Sequence, residues 1–265
     1  MHTIAIANRK GGVGKSSTAA VLGHGLAKRG HRVLCVDLDS QCNLTQIVGA
    51  EAGIVSLTDL LLDVRRAVRD GGIQSAIIPV PYDGKKGALD LLPGSPDLSR
   101  IEIELVGNDR TEALRRLLES VQSDYDYCVI DSAPSLGLLP VMALVAAQHV
   151  LIPMTADRLS LQGLRSQLEV IEDVKSRNNP TLNLLGVLLT ARDGRTTLEA
   201  NAEQILRAQA ETAGFRVFTP IPRTVLIREA QANSEHFLSY APKSKAAAAY
   251  KQLVRDIEKM TGRKD

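Results

Sequence analysis

The sequence predicts an α/β fold: a single-domain, doubly wound, mostly parallel sheet with helices on both faces. Three observations predict it. Short apolar runs alternate with amphipathic stretches from end to end, as strands crossed by helices do. The first run opens straight into a glycine-rich loop and then a helix, the order of a phosphate-binding unit. Two later runs end in aspartate, where a parallel sheet collects its ligands.

The first strand covers about Thr3 to Ala7. The helix behind the loop runs from about Lys15 to Arg29 and stops at Gly30, a good C-cap residue. Val33 to Val36 is the second strand, ending at Asp37. Residues 57 to 78 read as helical, with Leu57, Leu60, Leu61 and Val64 at helical spacing. Pro79, Pro81, Gly84 and Gly87 make 79 to 87 a loop. Leu89 to Leu92 is a short strand, and 97 to 121 hold one or two helices. Tyr127 to Ile130 is a strand ending at Asp131. Val150 to Pro153, Leu184 to Thr190 and Val217 to Phe218 are three more, with helices at about 160 to 177 and 196 to 213. Helices near 224 to 232 and 244 to 260 complete the chain. No internal repeat or low-complexity tract is evident.

Composition narrows the function classes. The 265 residues are 44% hydrophobic and carry a net charge of only +2, so any basic surface must be local. The three cysteines, Cys35, Cys42 and Cys128, have no metal-ligand spacing, and the odd count argues against a disulfide framework. Cys35 and Cys128 lie in apolar runs and read as packing residues. With no Trp, three Phe and five Tyr, a stacking platform for single strands is not expected. No signal peptide and no membrane-spanning run is read, so a cytoplasmic protein is expected.

Residues 9 to 17 read Arg9-Lys10-Gly11-Gly12-Val13-Gly14-Lys15-Ser16-Ser17. This is a deviant form of the phosphate-binding (Walker A) loop. Gly11, Gly12 and Gly14 let successive backbone N–H groups turn inward as an anion nest. The following helix aims its positive end at the same point. Lys15 reaches the outer phosphates and the Ser16 hydroxyl suits Mg²⁺. Lys10 precedes the nest, so its side chain is expected to reach outward, to a phosphate held by another subunit. That is the logic of a cation delivered in trans. The acidic half comes from Asp37 and Asp39 after the second strand and from Asp131. Mg²⁺ keeps several waters and takes few carboxylates, which suits either group.

These motifs resemble the ParA/MinD family of deviant-Walker P-loop ATPases, and most of all small, Soj-like ParA proteins. The loop carries the signature lysine, Lys10. Val36-Asp37-Leu38-Asp39-Ser40-Gln41-Cys42-Asn43-Leu44-Thr45 is similar to the family's D-x-D-P-Q-x-N-x-T element. Tyr125-Asp126-Tyr127-Cys128-Val129-Ile130-Asp131-Ser132-Ala133-Pro134-Ser135-Leu136 is similar to its Walker B segment. Ile221-Pro222-Arg223 and Tyr240 to Ala246 match the ParA branch's C-terminal pattern. The resemblance implies ATP and Mg²⁺ as cofactors, with Lys10, Gly11, Gly12, Val13, Gly14, Lys15, Ser16 and Ser17 around the phosphates. It implies Lys10, Lys15, Asp39 and Asp131 as catalytic residues, Asp39 positioning the attacking water. Ser16, Asp37 and Asp131 become the metal set, and Thr190, Pro222 and Arg223 the base contacts. Adenine rather than guanine is likewise implied only by the family.

The chain departs from the pattern in places. Ser40 replaces a proline, Cys42 a glycine and Ala133 a proline. Gln162 stands where many relatives have Glu. Ala230-Gln231-Ala232-Asn233-Ser234 departs from the chromosomal E-A-P-S-H-G pattern after Glu229.

By resemblance the ATP state is a homodimer that binds double-stranded DNA without sequence preference and answers to a ParB-like activator. It would drive plasmid or chromosome partition. Basic residues cluster in the C-terminal third, among them Arg192, Arg195, Arg223, Arg228, Lys243, Lys245, Lys251 and Arg255. Arg195, Arg223 and Arg228 are the expected DNA contacts, and nucleoid association in the ATP state follows. One domain over 1–265, with no N-terminal helix-turn-helix domain, is expected, so operator recognition is not. The alternative is a MinD-like or other cargo-positioning ATPase acting on a membrane or protein assembly. Tyr250, Leu253, Val254, Ile257 and Met260 do form an apolar stripe, but such stripes more often pack on the core. No stable membrane association is therefore expected. The cysteines weigh against electron transfer; a metabolic kinase stays open from the phosphate loop alone, although no acceptor site is evident and Lys10 argues for dimeric hydrolysis.

Overall fold

The computed structural model describes residues 1–50, 53–104, 110–135, 137–194 and 196–262, with the backbone alone of 102–104. Among them seven strands form one sheet: β1 (His2–Ile6), β2 (Arg32–Leu38), β3 (Ile78–Pro79), β4 (Ala88–Leu92), β5 (Tyr127–Ser132), β6 (His149–Thr155) and β7 (Asn183–Thr190). The order across the sheet is β3-β4-β2-β5-β1-β6-β7. Every neighbouring pair is parallel except β3 with β4. The chain leaves β1 to build one side of the sheet and returns past it to build the other. The loop after β1 therefore opens at the reversal point, where such sheets bind ligands.

Helices cover both faces. On one lie α1 (Lys15–Lys28), α2 (Asn43–Ile47), α11 (Leu226–Ala232), α12 (Phe237–Tyr240) and α13 (Lys245–Thr261). On the other lie α3 (Leu57–Leu62), α4 (Val64–Arg69), α5 (Gly72–Ala76), α6 (Leu98–Glu104), α7 (Ala113–Glu119), α8 (Leu138–Ala146), α9 (Arg158–Arg177) and α10 (Thr197–Ala213). Buried on both faces, the central strands read as continuous apolar runs, not as alternations. Val33, Leu34, Val36, Val129 and Ile130 are all fully buried. Tyr250, Leu253, Val254 and Ile257 of α13 are also buried, so its apolar stripe packs on α1 and the sheet. Among the described residues no helix is long and apolar enough to cross a membrane.

Some elements differ from the sequence reading. The helix expected over 57–78 is three short helices. Asp63 ends α3 and caps α4 by accepting from the Arg66 N–H, and Gly71 turns the chain at φ 65° before α5. Residues Val217 and Phe218 are not a strand; Val217 makes an isolated parallel bridge to Val187 at the β7 edge. Helix α8 had no readable period because Leu138-Leu139-Pro140-Val141-Met142-Ala143-Leu144-Val145-Ala146 is apolar on all sides. Helix α2 follows Cys42, whose backbone is left-handed at φ 53°. An L side chain in that conformation costs on the order of 1 kcal/mol.

Candidate active site

Gly12 and Gly14 have φ of 72° and 81°, the left-handed turns that a Cβ would resist. Gly14 is also the N-cap of α1 and supplies no side-chain cap, and the first turn of α1 holds no acidic residue. The first N–H groups of α1 are thus left for a ligand, and the helix dipole adds to their pull on an anion. Asn8 sets the entry to the loop, donating to the Pro153 carbonyl (2.7 Å) and accepting from the Lys10 N–H (2.9 Å). Beneath it, the Thr190 hydroxyl lies 2.8 Å from the Val13 carbonyl and 3.2 Å from that of Met154.

A cleft of about 640 Å³ opens over this loop. Gly11, Gly12, Gly14, Lys15, Ser16 and Ser17 form its floor. Asp39, Asn43, Gln46, Pro134 and Gln231 form its walls. Lys15 is buried, and its Nζ lies 3.4 Å from the Lys10 carbonyl. Burial lowers its pKa from the ordinary lysine value, while Asp131 and Asp39 oppose that shift.

Behind the cleft, Asp37 and Asp131 are register partners on β2 and β5, and both are fully buried. Burial pushes Asp131 up to about 8, opposed by the Ser16 hydroxyl and reinforced by the neighbouring Asp37. Neither of its oxygens completes a hydrogen bond. Asp37 is raised by burial to about 6 against hydrogen bonds from Thr45. Its Oδ2 accepts from the Thr45 N–H (2.8 Å) and hydroxyl (2.7 Å), and its Oδ1 has no partner. Gly94 braces this corner: its N–H donates to Thr45 Oγ1 (3.0 Å), and a Cβ there would stand 2.9 Å from the Asp37 carboxyl carbon. Asp39 lines the cleft and accepts from the Gln41 N–H at 3.0 Å.

Lys10 leaves the cleft altogether. Its Nζ donates to Asp157 Oδ2 (2.9 Å), Ser160 Oγ (2.9 Å) and Thr155 Oγ1 (3.3 Å), at the junction of β6 and α9. Asp157 also caps α9, accepting from the Ser160 N–H at 2.9 Å. Burial raises the Asp157 carboxyl, but bonds from Thr155, Lys10 and Ser160 outweigh it and hold the group well below the usual carboxylate range. A second cleft, of about 690 Å³, opens beside Lys10 between Asn8, Pro134, Leu159 and Gly163. Leu159 is 71% exposed there.

The sequence candidates fall into two groups. The loop residues, Lys15, Ser16, Ser17, Asp39 and, behind them, Asp37 and Asp131 converge on one place. The expected base contacts do not line the cleft. The Thr190 hydroxyl lies beneath the loop, within reach of the Val13 and Met154 carbonyls. Pro222 and Arg223 pair through their backbone with Arg192, the Arg223 N–H donating to its carbonyl at 3.0 Å. Arg223 and Arg228 are exposed; Arg195 lies outside the described residues. Arg192 is half-buried and held by Glu199 (3.2 Å) and Glu203 (3.0 Å), so it is not a surface cation. Sequence reasoning did not single out Gly94, Asp157 or Gln231. A strand-to-helix Asp is a cap signal for Asp157, and Gln231 was visible only as a departure from a pattern.

Comparison with known proteins agrees with this geometry. The family described as "AAA domain" matches residues 1–184. The chain is 39% identical to the chromosome-partitioning ATPase Soj of Thermus thermophilus over 260 residues, covering 97% of this chain and 95% of that one. It is 35% identical to the chromosome partitioning protein ParA of Myxococcus xanthus over 257 residues, covering 97% and 87%. Among solved structures it resembles cobyrinic acid a,c-diamide synthase from Mycobacterium smegmatis with bound ADP and magnesium. That match has a TM-score of 0.81 and 33% identity over 100% of this chain and 97% of the other.

Proposed function

We propose, since this chain belongs to the ParA/MinD family of P-loop ATPases, that it is a partition ATPase whose Mg²⁺-ATP state pairs two copies and holds DNA. The observation that carries this reading is the divergence of the two loop lysines. Lys15 sits in the cleft, whereas Lys10 lies on an exposed rim beside a second cleft. A lysine in that position serves a neighbour's phosphates better than its own.

The whole of residues 1–265 then acts as one ATPase domain. The loop N–H groups and Lys15 bind the phosphates. Ser16 and Asp131 hold Mg²⁺, Asp131 through water; its two unpartnered oxygens beside the Ser16 hydroxyl suit that task, and Asp37 lends charge behind them. The metal, when bound, neutralises charge on the phosphate oxygens. Asp39 orients the attacking water. Backbone groups of the paired segments at Arg192 and Pro222–Arg223 face the base, adenine by family. Lys10 crosses to the other copy, giving up Asp157.

The paired form binds duplex DNA without sequence preference through Arg195, Arg223 and Arg228. A ParB-like activator triggers hydrolysis and release, in a cytoplasmic protein that associates with the nucleoid while ATP is bound. The test is a salt-titrated binding assay on random-sequence duplex without nucleotide, with ADP and with Mg²⁺-ATP. Salt-sensitive binding in the ATP state alone is expected. Binding in no state, despite ATP-dependent pairing, would overturn the DNA role in favour of a membrane or protein cargo.

A further inference from the structure

Helix α11 connects two surfaces. Its last turn puts Gln231 on the wall of the nucleotide cleft, and Arg228 sits three residues earlier on the same helix, exposed. The helix is held at its start by Thr224 Oγ1, which accepts from the Leu226 N–H at 3.2 Å, and by Leu226 and Ile227 packed on the core. Its N-cap, Val225, gives no side-chain cap, and Ala230 is its buried residue. Glu229 accepts from the Tyr240 hydroxyl at 3.4 Å. Gln231 adds a tie of another kind: its Nε2 donates to Ser17 Oγ at 3.2 Å, across 214 residues of sequence.

The direction of that bond matters. A serine hydroxyl can accept one hydrogen bond while donating its own proton. Ser17 accepts from Gln231 and keeps its proton for an anion over the uncapped N-terminus of α1. A phosphate that draws this proton makes Oγ a better acceptor, so the two bonds strengthen each other.

We infer that Gln231 is a positioning residue that carries nucleotide occupancy through Ser17 into α11. Bound phosphate tightens the Gln231–Ser17 bond, docks α11 on α1 and fixes the helix that bears Arg228. The link to DNA rests on the reading of Arg228 given above; the link from nucleotide to α11 does not.

The experiment is amide hydrogen exchange along α11, with and without Mg²⁺-ATP at saturating concentration for each variant. It is run on the unsubstituted protein, Gln231→Met, Ser17→Ala and the double variant. Methionine keeps the length of glutamine and removes the donor. In the unsubstituted protein, nucleotide is expected to slow exchange in α11 by about five- to tenfold, the worth of one hydrogen bond. Each single variant should lose that protection, and the double variant should lose no more than either. Under the same conditions Gln231→Met should bind random-sequence duplex about fivefold more weakly. Protection that is absent from the unsubstituted protein, or retained in Gln231→Met, overturns the relay whatever DNA does. Protection that is present and lost in Gln231→Met, in a protein that does not bind duplex at all, upholds the relay and removes the DNA reading. Ser17→Ala tests the same bond from its other end should Gln231→Met fold poorly.

Discussion

The N-termini of α1 and α9 stand beside the two loop lysines and are finished in opposite ways. Helix α1 begins at Gly14 with no side-chain cap and no acid in its first turn. Helix α9 begins at Asp157, whose carboxylate takes the Ser160 N–H and the Lys10 ammonium together. Four further residues, Ser56, Asp63, Thr196 and Ser244, cap other helices among the described residues. The contrast teaches what each end is for. A capped end has its donors satisfied within the fold and contributes stability. The open end of α1 forgoes about 1 kcal/mol of capping and holds its donors ready for an anion.

Breaking the open end should have the largest effect. Lys15→Ala removes the buried cation of the cleft and should weaken nucleotide binding on the order of 10²-fold, read by titration with a fluorescent ATP analogue. Hydrolysis should be lost with it. Lys10→Ala sharpens the comparison. It should leave ATP affinity within about threefold and cut hydrolysis on the order of 10³-fold, as loss of a trans cation does. Full hydrolysis by this variant would remove the trans role. Thr190→Val strikes beneath the loop and leaves the Val13 and Met154 carbonyls without their hydroxyl donor. A loss of about 1 to 2 kcal/mol in denaturant titration is expected. Asp157→Ala should have the smallest effect, about 1 kcal/mol from the lost cap of α9, visible as a lower melting temperature. An unchanged melting temperature would mean that the cap is replaced by water or by Thr155.

The phosphate side of the site was legible because its residues are contiguous. Residues 9 to 17 carry their own geometry, and the strands ending in Asp37 and Asp131 could be placed by the parallel-sheet rule alone. What escaped was long-range or aperiodic. The apolar α8 has no polar face to betray its period. The Thr190 hydroxyl meets the Val13 carbonyl across 177 residues of sequence, a contact no local pattern announces. Gly94 and Thr45 meet around Asp37 only once β2 and β4 pair. The helical spacing over 57–78 was real, yet Asp63 and Gly71 divide it, since a capping side chain and a left-handed turn outrank periodicity.

The two rims of the sheet decide how copies of this chain can meet. At one, β3 is two residues long and antiparallel, and Pro79, exposed, presents no N–H to a newcomer. At the other, residues 216 to 223 run along β7, with Val217 bridged to Val187 and the Phe218 N–H donating to the Val187 carbonyl at 2.9 Å. Among the described residues, neither rim offers a long row of open backbone groups for strand addition. Growth of a continuous sheet from chain to chain, the route by which many strand-rich proteins aggregate or form filaments, is therefore blocked at both sides. Contact between copies would then run through faces built from side chains and loops.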